Sequence, residues 1–248
     1  VDIPLANAGA FARVRARMEQ AAAELGKRLV PVATNLLETR WVKANWARLS
    51  HGSALGAIAL ALENRYSKVM IASSTPMWRL RPWGSHPFTD PLLSTSSLRI
   101  IHDGASMSRV RKLEQIIDSD TAMRYLRVCW RSPSGDNCGS CGKCYRTMTA
   151  LAALDALERC ETFRGGQLNL EKVAHLYAST AWEGLSSELE DLARERGKLE
   201  LARAVRRSRM YSRRLYRLLT AVDWLRRQRV IWRIADPLER RLRAGALS

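Results

Sequence analysis

The chain has 248 residues, of which 46% are apolar and 26% charged, and its formal net charge is +17. That length holds one sizeable α/β domain with an appendage, because single cores commonly reach about 200 residues, and leaves little room for two full domains. No run of about 18 apolar residues occurs to build a bilayer-crossing helix, so the expectation is a soluble protein.

No Met stands at position 1 and no basic-then-apolar leader follows, so the start does not read as a secretory precursor. Val1, Asp2, Ile3, Pro4 and Leu5 read instead as the end of a strand. Residues 10–25 repeat apolar side chains at helical spacing, and Gly26 stands where a helix-ending glycine belongs. Residues 28–34 form a short strand-like run. Residues 46–64 contain a segment apolar on nearly every side, which predicts a buried helix, and it leads straight to a second strand over 68–74. Strands alternating with helices predict βαβ units and a parallel sheet with ligands at the carboxyl ends of its strands. Ser73 and Ser74 fall at such an end.

Residues 77–95, rich in Pro, Trp and Gly, are too long for a plain connection and read as a functional loop or lid. His86 and Asp90 lie in it, four residues apart and flanked by Pro82, Gly84 and Pro87. With Ser73 and Ser74 they are the candidate substrate contacts, because long loops at strand ends collect such contacts. For His51, His86 and His102, taken singly, an ordinary structural or surface role is the plainer reading. A third strand is expected over 99–102, a helix over 108–119, and amphipathic helices over 168–178 and 186–217, with Pro237 breaking the last.

Four of the five cysteines lie close together: Cys129, then Cys138, Cys141 and Cys144. A C-x-x-C turn sets two sulfurs on one ion, and Gly139, Ser140 and Gly142 let the backbone fold back. Buried cysteines that never meet, or a redox pair, are the alternatives. Two overlapping C-x-x-C pairs sharing Cys141 favour a tetrahedral zinc site, structural because all four positions are filled by protein. Cys160 is left over as a free thiol. Cysteines spaced for metal rather than disulfides indicate a reducing compartment, and the expected location is cytoplasmic.

Val128-Cys129-Trp130, followed by the Cys-x-x-Cys-x-x-Cys run from Cys138 and by Arg146 on an expected helix, is similar to the zinc segment that closes 7-cyano-7-deazaguanine synthases, members of the PP-loop ATP pyrophosphatases. The upstream order of helices, strands, small polar residues, a loop with an Asp and a helix with Arg and Lys also resembles that superfamily. The resemblance runs from about Val1 to Cys160. It implies a Rossmann-like (adenine nucleotide alpha hydrolase-like) parallel sheet in residues 1–160, without its first strand and phosphate loop, with a zinc segment at 129–144 and a helical, Arg-rich region over 161–248. It also implies adenylation of a small-molecule carboxylate with release of pyrophosphate, then attack by a nitrogen nucleophile. One departure is large: no Ser-Gly-Gly-x-Asp-Ser phosphate loop occurs in the chain. ATP and Mg2+ are therefore expected only if that loop lies upstream, and the structural Zn2+ in either case. A homodimer is an admissible assembly.

Residues 201–248 carry 14 Arg and no Lys against Asp223, Asp236 and Glu239, a net charge of +11. Arg203, Arg206, Arg207, Arg209, Arg213, Arg214 and Arg217 make a cationic face, and Trp224 and Trp232 lie among Arg226, Arg227, Arg229 and Arg233. Nucleic acid or an anionic membrane surface would suit this composition, and a merely solvated face is the plainer alternative. The competing reading of the whole chain is thus a non-enzymatic, zinc-stabilised module that binds through this tail.

Overall fold

The computed structural model describes residues 3, 6–163, 165–177 and 183–227. The strand expected to end at residue 5, the break at Pro237, and Arg229, Trp232 and Arg233 lie outside the described residues. The chain is a mixture of helices with one small parallel sheet, arranged in two compact units. One unit comprises residues 29–112. The other joins residues 7–28 to residues 113 onward, so the boundary anticipated at residue 160 does not mark a break in packing. The physical reason is that the first helix folds against the fourth, and the helix after the cysteines packs on the helices that follow residue 160.

In the 29–112 unit, the strand expected over residues 28–34 is irregular. Pro31 offers no amide hydrogen, Val30 and Val32 remain exposed, and no described strand lies beside it to supply ladder bonds. A π-helical turn at Trp46–Ser50 opens the helix His51–Ala61 (α2), the first helix, Ala8–Glu24, being α1. The expectation of a helix buried all round is corrected. Gly52, Ala54, Gly56 and Ala59 are buried, whereas Leu55 is exposed.

Strand Lys68–Ala72 (β1) pairs in parallel with Arg99–Asp103 (β2), in a register that sets Ile71 beside His102 and Ala72 beside Asp103. The small core under the pair is Ile71, Leu98, Ile100 and Ala59, with Leu60, Val69 and Leu93 at its margin. The wider parallel sheet expected around β1 is not seen among the described residues: β1 has a partner on one side only, and Met70 is 62% exposed. A helix of six residues, Arg109–Glu114 (α3), is all that forms regularly of the one anticipated over 108–119.

In the other unit α1 begins at Asn7, whose side chain accepts from the Ala10 amide, and ends at Gly26 as expected. It packs on Asp120–Tyr125 (α4), where Glu24 accepts from Thr121, Arg124 and Tyr125. Gly142–Ala153 (α5) is the central helix, with Cys144, Met148, Leu151 and Ala153 almost wholly buried. Leu170–Ala174 (α6) is shorter than expected. The single helix anticipated over 186–217 is two, Glu183–Glu195 (α7) and Leu199–Arg227 (α8). Gly197 turns the chain between them at φ +72°, a conformation that glycine alone adopts without strain, and the Lys198 amide closes the turn on the Ala193 carbonyl at 2.7 Å. Leu201, Val205, Ser208, Ser212, Leu215 and Val222, spaced by three, four or seven residues, line the buried side of α8, which faces α6 and α7.

Candidate metal centre and the charged end of the parallel strands

The four cysteine thiols converge. Their sulfurs all lie within 4.8 Å of one another, and none is in a disulfide. Three of the six separations are Cys129–Cys141 at 3.9 Å, Cys138–Cys144 at 3.8 Å and Cys141–Cys144 at 3.6 Å. A tetrahedron with metal–sulfur bonds of about 2.3 Å has edges of about 3.8 Å, so these separations suit an ion such as zinc at the centre. A disulfide would need sulfurs about 2.05 Å apart. Cys129 and Cys144 are almost fully buried, Cys141 is buried and Cys138 is exposed.

Three local devices build this cluster. Gly139, at φ +66°, reverses the chain between Cys138 and Cys141. Cys141 stands immediately before α5, which brings Cys144 back over it within one turn. Asn137 ties the distant ligand in: its Oδ1 accepts from the amides of Val128 and Cys129, and its Nδ2 donates to the Leu126 carbonyl and to Thr162. Nothing in the sequence marked Asn137 except its place beside Cys138. Burial opposes ionisation at Cys138, yet hydrogen bonds from Ser140 and the Cys141 amide hold its pKa down at about 6. Burial pushes the Cys141 and Cys144 thiols up. Removing that cost is what a bound cation does for a thiolate. Cys160 is buried beside Thr162, 3.4 Å from its hydroxyl, outside the cluster.

The other expected site residues all belong to the 29–112 unit. Asp90 is 1% exposed and both of its oxygens are engaged: Oδ2 by the Ser85 hydroxyl at 2.6 Å and the His102 ring at 2.7 Å, Oδ1 by the His86 amide at 3.0 Å. The carboxylate therefore folds the loop and fastens it to β2. The His86 ring sits beside Phe88, and His51 bonds the Trp46 carbonyl and packs edge-on to Trp83.

Ser73 and Ser74 leave β1 at its carboxyl end, where Ser73 is buried and donates its amide to the Asp103 carbonyl. Two cations missed in the sequence reach these serines. Lys112 Nζ donates to Ser73 Oγ at 2.5 Å and to the Ser73 carbonyl at 3.0 Å, and Arg109 Nε donates to the Ser74 carbonyl at 3.3 Å. They belong to a row of like charges. Desolvation, and then the charge of Arg109, lowers the pKa of Lys112, while Asp103 opposes; desolvation and Arg81 lower that of Arg109; desolvation and Arg48 lower that of Arg81. The Arg81 guanidinium lies 4.5 Å from the centroid of Trp83, and its Nε is buried with no hydrogen-bond partner among the described residues. Cations crowded together with an unsatisfied donor form a place where an anion is stabilised.

The fold and the cysteine cluster thus define a mixed helix–strand protein with a four-thiol site able to hold a metal ion. No protein-family model matches the chain, and neither a curated protein nor a solved structure matches it. No helix of the described residues is long and apolar enough to cross a membrane.

Proposed function

We propose that this chain is part of an adenylating enzyme of the PP-loop ATP pyrophosphatase type, resembling 7-cyano-7-deazaguanine synthase, with a structural zinc on Cys129, Cys138, Cys141 and Cys144. The observation that carries the reading is the convergence of Lys112 and Arg109 on Ser73 and Ser74, at the carboxyl end of a parallel strand pair. Open α/β sheets bind their ligands at that end. In this reading the cations neutralise nucleotide phosphates while a carboxylate oxygen attacks the α-phosphorus. The bond to the leaving pyrophosphate breaks, and a nitrogen nucleophile then displaces AMP from the acyl adenylate. Mg2+ would share the phosphate charge. The zinc is closed by four thiolates and serves folding, since no position remains for water.

The reading requires a Ser-Gly-Gly-x-Asp-Ser loop from outside these 248 residues, because backbone amides at such a turn, rather than scattered cations, align a phosphate for in-line attack. Calorimetry with Mg2+–ATP tests it. A protein extended upstream to include that loop should bind ATP saturably, and Lys112→Met should weaken binding by about 10-fold or more, the loss of one charge-assisted contact. The 248-residue chain should show no tight binding. An upstream sequence without the loop, or tight ATP binding by the present chain, overturns the proposal.

A further inference from the structure

The seam of α8 is occupied internally, and its opposite side carries a separate pattern. Ser208 and Ser212 on the seam both donate to the Leu176 carbonyl. Two of the arginines anticipated as a cationic face are tied down on its flanks, Arg209 to the buried Glu190 at 2.6 Å and Arg207 to Glu171 at 2.5 Å. Arg203, Arg206, Arg214 and Arg217 differ. They are exposed, and their side chains have no ion-pair or hydrogen-bond partner among the described residues.

These four form two Arg-x-x-Arg pairs eleven residues apart. Eleven residues are almost three whole helical turns, so the second pair stands over the first. At about 100° per residue the four fall within an arc of about 80°, and they span about 21 Å of helix axis. Met210 lies at the middle of the row and is 49% exposed. The only acidic residues of α8 are Glu200, before the row, and Asp223, on another side and beyond it.

We infer that this face of α8 is a docking surface for the phosphodiester backbone of double-stranded DNA, contacted by the guanidinium groups of Arg203, Arg206, Arg214 and Arg217. The planar fork of arginine pairs with phosphate oxygens bidentately, and all four positions are arginine rather than lysine. A row about 21 Å long spans several phosphates of a duplex, which carries one charge per about 3.4 Å of axis on each strand. An anionic membrane is a poorer fit, because interfacial helices insert a broad apolar face, whereas the apolar seam of α8 is covered by α6 and α7 and its exposed apolar side chains, Met210, Tyr216, Leu218 and Trp224, are scattered around the helix. Single-stranded RNA is recognised by stacking on aromatic rings, and the exposed ring in line with this row, Trp224, stands beyond its end, seven residues past Arg217, with none on this face between the two pairs.

The test uses the zinc-loaded 248-residue protein and a fluorescently labelled duplex of mixed sequence, with binding read by anisotropy across a salt series. Four phosphate contacts predict a slope of log K against log salt of about −3.6. Replacing Arg203, Arg206, Arg214 and Arg217 together by Gln should lower affinity by about 100-fold at low salt and flatten that slope toward zero, with the circular dichroism spectrum unchanged. Replacing Arg15, Lys27, Arg40 and Arg65 by Gln removes the same charge elsewhere and should change affinity by no more than about 3-fold, the long-range share of screened charges. Equal losses in the two variants overturn the inference. So does tighter binding to a single-stranded RNA of the same length, or binding to vesicles containing phosphatidylserine with none to the duplex.

Discussion

Cys129→Ser is the sharpest test of the metal centre, because Cys129 is the ligand furthest from the others in sequence and is tied to their loop by Asn137. Structural zinc in small domains binds with about 10–16 kcal/mol of apparent free energy, so one thiolate of four carries roughly 2.5–4 kcal/mol. That corresponds to a loss of about 10²- to 10³-fold in zinc affinity. Because residue 129 is 1% exposed, a serine hydroxyl there could not recover the difference from water. Competition against a chromophoric chelator measures the affinity, and thermal unfolding with and without EDTA measures its share of stability. Cys160→Ser is the control: equally buried but outside the cluster, it should leave zinc affinity unchanged. X-ray absorption on the wild-type protein should find four sulfurs at about 2.3 Å and no oxygen. The reasoning fails if gently purified protein holds no metal, if Cys129→Ser retains affinity within about threefold, or if Cys160→Ser loses as much as Cys129→Ser.

Two further outcomes follow from the packing. A methyl group at Gly52 would stand 1.9 Å from the Gly84 carbonyl oxygen and 2.7 Å from the Ser85 Cα, so Gly52→Ala must push α2 and the loop backbone apart by about 1.5 Å. Overpacking of that size costs about 1–3 kcal/mol, more than the helix propensity gained at an end position, and a midpoint in chemical denaturation equal to or above wild type would contradict the contact. The second concerns pH. The Thr121 hydrogen bond, with help from Tyr125 and Arg124 and against partial burial, holds Glu24 below its ordinary pKa of 4.5. A carboxylate whose pKa is depressed on folding adds stability above the unfolded value and loses it as pH falls toward the folded one. Glu24→Gln should therefore lower the melting temperature near neutrality and shrink the gap to wild type as pH drops below 4.5; a constant gap from neutral to acid pH would remove Glu24 from the account.

Much of the local structure was already written in the sequence, because it depends on near neighbours. The cysteine spacing selected the four residues that meet, Gly26 ended α1 where a glycine should, and the short apolar runs within 68–74 and 99–102 located β1 and β2. Gly197 is the local signal for the break between α7 and α8, masked in the sequence because the apolar period resumes in α8. What only the tertiary structure decided are relations between residues far apart in the chain. Residues 28–34 have strand composition but stay irregular, because a strand is made by its partner's hydrogen bonds and the described residues supply none. Asp90 was chosen for its place in a long loop. Its burial under Ser85 and His102 depends on β2 arriving beside it. The helix bearing Lys112 and Arg109 is legible in the sequence, but their contacts with Ser73 and Ser74 exist only because β1 brings those serines to them. The seam of α8, likewise, is what separates a row of arginines facing water from those bound to Glu171 and Glu190. Periodicity sets which residues share a face, while the partner of that face is a long-range contact whose free energy no window of sequence contains.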